Sequence, residues 1–287
     1  MRKKTVLNVL VTLVIISASA LFPQKMMAGS DVMLGVNVPP GQQVSIDQID
    51  TSDWNRLLKR YVDDNGNVDY TAWKRSAADL QTLDQFLARL STAKPEQQAR
   101  PAAKLAFWIN AYNAVTVRGI LREYPTTSIR NHTAKLFGYN IWDDLLLTVG
   151  GKPYSLNEME HEVLRKMNEP RIHFAIVCAS RSCPRLLNEA YTADKLEAQL
   201  TANAKVFFRS PRGFQFSAEK KQFRLSAILN WFGEDFGYDQ AAQLRTIAAY
   251  LPSRESRDAA IANTVSVSYL DYDWRLNDQE SAGDAQK

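Results

Sequence analysis

The segment "RIHFAIVCASRSCPRL", residues 171–186, holds both cysteines of the chain and one of its three histidines within eleven positions. A thiol attacks as the thiolate. It therefore needs a base or positive surroundings, and the base needs an acceptor to orient it. Arg181 and Arg185 flank Cys183, and Glu160 and Glu162 precede His173 in "SLNEMEHEVLRKM". These residues make a candidate triad, with Cys183 as nucleophile, His173 as proton carrier and Glu160 as orienter of the imidazole. The chemistry would be thiol-dependent hydrolysis or acyl transfer. A second assignment stands beside it. Cys178 and Cys183, five apart across a turn, are close enough to bridge, and a disulfide there would pin a recognition loop in a non-catalytic binding module. Zinc held by His161, His173, Cys178 and Cys183 is disfavoured, because the pattern lacks the paired Cys-x-x-Cys spacing of zinc sites. No metal and no other cofactor is expected.

The elements that must carry these residues are partly legible. "RIHFAIVCA" reads as a buried strand. Alternation then puts His173, Ala175 and Val177 on one face and Phe174, Ile176 and Cys178 on the other. That separates His173 from Cys178 and leaves Cys183, in the following loop, as its partner. "SLNEMEHEVLR" starts a helix, with Ser155 and Glu158 at capping-box spacing. The thirteen positions between Lys104 and Arg118 hold no charged residue. A helix apolar all round lies at a domain centre. Asn110 and Asn113 sit on one side of it, and buried amides must find partners. They hold a loop's backbone or line a pocket beside the thiol loop. With Arg165 and Arg171 they are the expected contacts of an anionic or amide substrate, a small molecule or a peptide.

Around this centre, Asp50 to Tyr61 reads as a helix with Trp54, Leu57, Leu58 and Tyr61 on one face. Asn65-Gly66 marks a hairpin turn. A calcium loop is excluded there, since with Gly66 at the sixth position the first ligand would be Tyr61. Tyr70 to Leu90 reads as one amphipathic helix and Leu196 to Phe208 as another. "FQFSAEKKQFRLS" reads as a hairpin, "SAILNWFGEDFG" and "QAAQLRTIAAYL" as short helices, and "TVSVSYLDYDW" as a strand. Helices come first and strands mix in later, which points to a single α+β domain. Its central antiparallel or mixed sheet would be packed by the buried helix and by peripheral ones.

The ends set the address. Arg2, Lys3 and Lys4 precede an uncharged apolar stretch from Thr5 to Ala20, the pattern of a secretory signal peptide, residues 1–28, cleaved after Ala20 or Ala28. Removing the three cations lowers the formal charge from +4 to +1. No basic stripe with interleaved aromatics remains, so nucleic acid is not expected as a partner. No later segment approaches spanning length, so no membrane span is expected after cleavage. The expected location is periplasmic or secreted, where a disulfide is permitted. Residues 29–45 read as a linker, 46–276 as the domain, and 277–287 as a disordered tail.

"AFWINAYNAVTVRGIL", "SLNEMEHEVLR", "PRIHFAIVCASRSCPRLLNEAY" and "SYLDYDWRLN" resemble the family called domain of unknown function 547, from about Gly66 to Asn277. The motif positions of that resemblance are Asn110, Asn113, Glu160, His161, Arg165, Arg171, His173, Cys178, Cys183 and Pro184. The resemblance implies an exported bacterial protein and little about activity. In the papain and transglutaminase class of thiol enzymes the cysteine opens a helix and precedes the histidine. Here the order is Glu160, His173, Cys183.

Overall fold

The structure, a computed structural model, describes residues 31–134 and 139–280. The expected signal segment lies outside them. The centre of the fold is the helix α4. The helices α1 (Ser52–Tyr61), α2 (Tyr70–Arg75), α3 (Ala77–Ser91) and α4 (Pro101–Glu123) build the first half. Pro101 opens α4 at the position where a missing N–H costs nothing, and every residue from Leu105 to Val117 is buried. The face expected of α1 is the buried one, with Trp54, Leu57, Leu58 and Tyr61 all inside. Trp54 stacks on Phe86 of α3 at 5.8 Å.

Two short strands, β2 (Leu145–Val149) and β3 (Lys152–Tyr154), pair antiparallel, and β1 (Val32–Leu34) pairs with β2 in parallel. Gly119 lets this sheet approach α4, because a Cβ there would meet Leu145 Cδ2 at 2.7 Å. After β3 comes the helical turn α5 (Leu156–Glu158), which has the expected capping box on Ser155. It runs directly into a π-helical turn, Met159–Leu164, that packs against α4.

The second half has its own apolar cluster, built on Phe174, Phe207, Phe208, Phe214 and Phe223. It gathers α6 (Leu196–Arg209), the predicted hairpin of β4 (Phe214–Ser217) and β5 (Gln222–Leu225), and α7 (Ile228–Trp231). It also gathers α8 (Gly233–Phe236), α9 (Gln240–Ala248) and α10 (Arg254–Ala262). The last strand, β6 (Ser266–Tyr269), joins β5 in parallel.

The chain is α+β as expected, but among the described residues the strands form two three-stranded mixed sheets rather than one central sheet. The centre is held by α4, whose Leu105–Val117 stretch is buried on every side. Four further expectations change. The helix expected over Tyr70–Leu90 is broken at Ser76, whose hydroxyl accepts the Asp79 N–H and caps α3 instead of continuing α2. The expected linker 29–45 contributes β1, because the backbone of Val32–Leu34 completes the open edge of β2. The tail expected from Asn277 does not begin there, since Asn277 and Asp278 are buried. Residues 281–287 lie outside the described residues. Lastly, "RIHFAIVCA" is not a strand. Pro170–Phe174 is a 3-10 helix, followed by irregular chain.

Candidate active site

Side-chain amides explain why the segment after Phe174 needs no neighbouring strand. Asn113 donates from Nδ2 to the Ala175 carbonyl at 2.9 Å, and its Oδ1 accepts the Val177 N–H at 2.9 Å. Asn203 of α6 donates to the Phe174 carbonyl at 2.7 Å. Asn110 clamps Tyr191 in the same two-way manner, at 2.8 and 3.0 Å. Buried backbone groups must be paired, and here three asparagines pair them. The chain then turns at Ala179, which has a left-handed φ of 55°. The C-terminal segment closes over the turn. Arg275 O accepts the Arg181 N–H at 2.8 Å and Ala179 O accepts the Asn277 N–H at 3.1 Å.

This turn brings the two thiols together, and both are unbridged. Cys183 Sγ accepts the Cys178 backbone N–H at 3.0 Å and the Tyr272 hydroxyl at 3.2 Å. Cys178 Sγ lies 3.1 Å from both the Ser180 and the Tyr272 hydroxyls. Burial by itself pushes the Cys183 thiol up. Hydrogen bonds from the Cys178 thiol, the Tyr272 hydroxyl and the Cys178 N–H outweigh that and hold it well below its ordinary 9.0. Donation to Cys183, together with burial, pushes Cys178 the other way. Of the two thiols, Cys183 is therefore the one that ionises more readily.

The imidazole of His173 stacks on Phe232 at 4.3 Å, and its Nε2 lies 2.6 Å from Asp235 Oδ2. Asp235, on α8, is gripped by Arg165, with Nε–Oδ2 2.7 Å and Nη2–Oδ1 2.9 Å. Burial lowers the imidazole pKa, and Asp235 opposes it without reversing it, so His173 is neutral near pH 7. Glu160 projects from the π-helical turn beneath α4. Its Oε2 accepts the Tyr112 hydroxyl at 3.2 Å. Burial raises this carboxyl to about 7, the charge on Cys183 acts in the same direction, and the Tyr112 hydrogen bond offsets part of both.

Glu160, His173, Cys178 and Cys183 line one cavity of about 130 Å³. Tyr112, Trp142, Ile176, Ile228 and Phe232 form most of its apolar wall, and Trp231, Tyr272 and Trp274 complete it. The last three form an aromatic cluster, with Tyr272 4.5 Å from Trp274 and 4.8 Å from Trp231.

The predicted trio thus shares a cavity, but with different bonds. Asp235, not Glu160, orients the imidazole. Cys183 is hydrogen-bonded by Tyr272 and the Cys178 N–H rather than by His173. The strand parity that would part His173 from Cys178 does not apply, because the segment is not extended, and both face the cavity. Asn110 and Asn113 spend both ends of their amides on backbone. Arg171 is taken up by Glu169, Glu197 and Thr201, and Arg165 by Asp235 and Glu234, so these four build the frame instead of lining the cavity. Asp235 and Tyr272 were missed. Tyr272 lies within the motif "SYLDYDWRLN", while Asp235 shows only as an acid in a short helix. Among the described residues, no group of three or more His, Cys, Asp or Glu side chains is placed to hold a metal ion, and no helix is long and apolar enough to cross a membrane.

Residues 96–208 match the model of a family described as "Protein of unknown function, DUF547". No curated protein and no solved structure matches the chain.

Proposed function

From the geometry of the thiol cavity we propose that this chain, whose residues 96–208 match the DUF547 family model, is a thiol-dependent acyl hydrolase or acyl transferase. The observation that carries this reading is the thiol Sγ of Cys183. It is held by a backbone N–H and a tyrosine hydroxyl in a cavity shared with a neutral imidazole and a protonatable carboxyl. A thiolate in place before substrate arrives needs no base to form it.

In the first half-reaction, Cys183 Sγ attacks the carbonyl carbon and a C–S bond forms. The tetrahedral centre then collapses, breaking the bond to the leaving group. Glu160, whose carboxyl burial raises to about 7, gives its proton to that group as it departs. In the second half, a water or an acceptor alcohol or amine attacks the thioester, and its proton goes to the neutral His173. Asp235 stabilises the resulting imidazolium, as an oriented carboxylate does. Cys183 leaves as thiolate, and the His173 proton returns to Glu160 through solvent. With the basic and then apolar start of the sequence read as a signal segment, the activity would belong to the periplasm or the outside of the cell.

The test uses p-nitrophenyl acetate on reduced protein. A stoichiometric burst of p-nitrophenolate is expected, with one acetyl group on Cys183 by peptide mass spectrometry. In His173→Ala the burst persists, but the acetyl-enzyme accumulates, because deacylation loses its base. No acetylation of Cys183 would overturn the proposal. So would protein purified without reductant that carries a Cys178–Cys183 bridge and stays inert after reduction, and the binding-module reading would replace it.

A further inference from the structure

Cys183 lines a second and larger space. A cleft of about 620 Å³ shares Cys183 and Pro184 with the inner cavity as lining residues. That volume falls in the range of small-molecule sites, about 300–1,000 Å³. The two spaces differ in character. The inner cavity is walled by aromatic and aliphatic side chains, and its volume is close to the roughly 150 Å³ of a cavity that holds one benzene. The cleft is lined by Arg181, Arg185 and Arg212, with Asp63 as the single acid among its lining residues. Arg185 donates to Asn203 Oδ1 at 2.7 Å and to the Asp64 carbonyl at 3.0 Å. Arg212 donates to the Arg181 carbonyl at 2.7 Å. All three acceptors are neutral, so these bonds orient the two guanidinium groups without cancelling their charge. Fixed guanidinium groups of this kind suit carboxylate or phosphate recognition.

The placement of the proton-handling groups gives the direction. His173 and Glu160 line the inner cavity and not the cleft. The leaving group must depart beside its proton donor, so it occupies the inner cavity, and the acyl chain extends past Cys183 into the cleft. Resting on the thiol-acyl-transfer reading above, we propose that the substrate is an ester, thioester or amide whose acyl part ends in an anionic group, a carboxylate or a phosphate. Arg185 and Arg212 hold that group in the cleft, while a small apolar or aromatic leaving group sits in the inner cavity.

The test compares p-nitrophenyl esters of one chain length on the reduced full chain, each corrected for its uncatalysed hydrolysis. The acyl ends are free carboxylate, phosphonate, and the neutral methyl ester of the same carboxylate. The readout is the rate of Cys183 acylation. The better anionic ester should exceed the neutral one by at least about tenfold, the return of one charge-assisted hydrogen bond. Which anion wins separates a carboxylate substrate from a phosphate one. Arg212→Gln should shrink the ratio. Val206, partly exposed on the cleft wall, offers variants that disturb no hydrogen bond, with Val206→Glu expected to lower the ratio and Val206→Lys to raise it. Acylation of Cys183 by all esters with a ratio near one, or a ratio that ignores both Val206 charges, would overturn this inference and leave the acyl-transfer reading intact. No acylation by any ester would overturn both.

Discussion

The Cys178 thiol, the Tyr272 hydroxyl and the Cys178 backbone N–H together hold the Cys183 thiol below its ordinary pKa. The Tyr272 hydroxyl is shared between the two sulfurs, and Ser180 donates to it at 2.9 Å, so the network is directed toward the thiols. A hydrogen bond to a charged group contributes about 1.5–3 kcal/mol, which is about one to two units of pKa. Tyr272→Phe should therefore shift the midpoint of Cys183 alkylation by iodoacetamide upward by about one unit. Cys178 should react slowly in both proteins at neutral pH, because its thiol is held protonated. A midpoint unchanged by Tyr272→Phe but raised by His173→Ala would return the thiolate to a direct Cys–His pair.

At the scale of elements, the thiol loop is an irregular segment kept in place by helices. Asn113 of α4 satisfies one carbonyl and one N–H of that loop, both buried. Asn113→Ala would leave both groups unpaired, at about 1–3 kcal/mol each. Urea unfolding should show a loss of roughly 2–5 kcal/mol, and a loss below about 1 kcal/mol would mean that the loop finds other partners. Gly66 shows how closely the early turn is packed on the same loop. It has a φ of +82°, and a Cβ there would lie 2.4 Å from Arg185 Cβ. The turn joining Val62 to Val68 thus packs against the segment that carries Arg185 into the anion cleft.

For the whole molecule, Glu160 couples the site to stability. Its folded pKa, about 7, lies above the ordinary 4.5. Between these values the folded protein keeps a proton that the unfolded chain has released. Stability therefore falls as pH rises through this window, and the contribution present at pH 4.5 is gone above pH 7. The difference is on the order of 3 kcal/mol. Other groups titrate over the same range, so the measure is wild type against Glu160→Gln. Unfolding free energies of the two should diverge from pH 5 to pH 8, with the variant flatter, and parallel curves would contradict a buried carboxyl. The export proposal is checked separately. The mature N-terminus should be Leu21 or Gly29, and a retained Met1 on cytoplasmic protein would refute it.

Local spacing was enough to read most of the helical half of the fold and three of the groups that meet at the site. The charge-free run of α4, the amphipathic face of α1, the capping box on Ser155 and the β4–β5 hairpin depend on spacing within a few residues, and spacing is visible in a string. Glu160, His173 and Cys183 could be grouped for the same reason, since they lie within 24 positions, whereas Cys178 joins them only because the segment is not extended. The partners that give them roles are distant. Asp235 is 62 residues from His173, and Tyr272 is 89 from Cys183. No periodicity links such pairs; only packing of the two apolar clusters brings them together. The change from strand to 3-10 helix at His173 has the same origin. "RIHFAIVCA" has the composition of a buried strand, but a strand needs a neighbour's backbone. Here Asn113 and Asn203, from two different helices, supply the hydrogen bonds instead. Tertiary structure made that choice, and with it turned His173 and both thiols into one cavity.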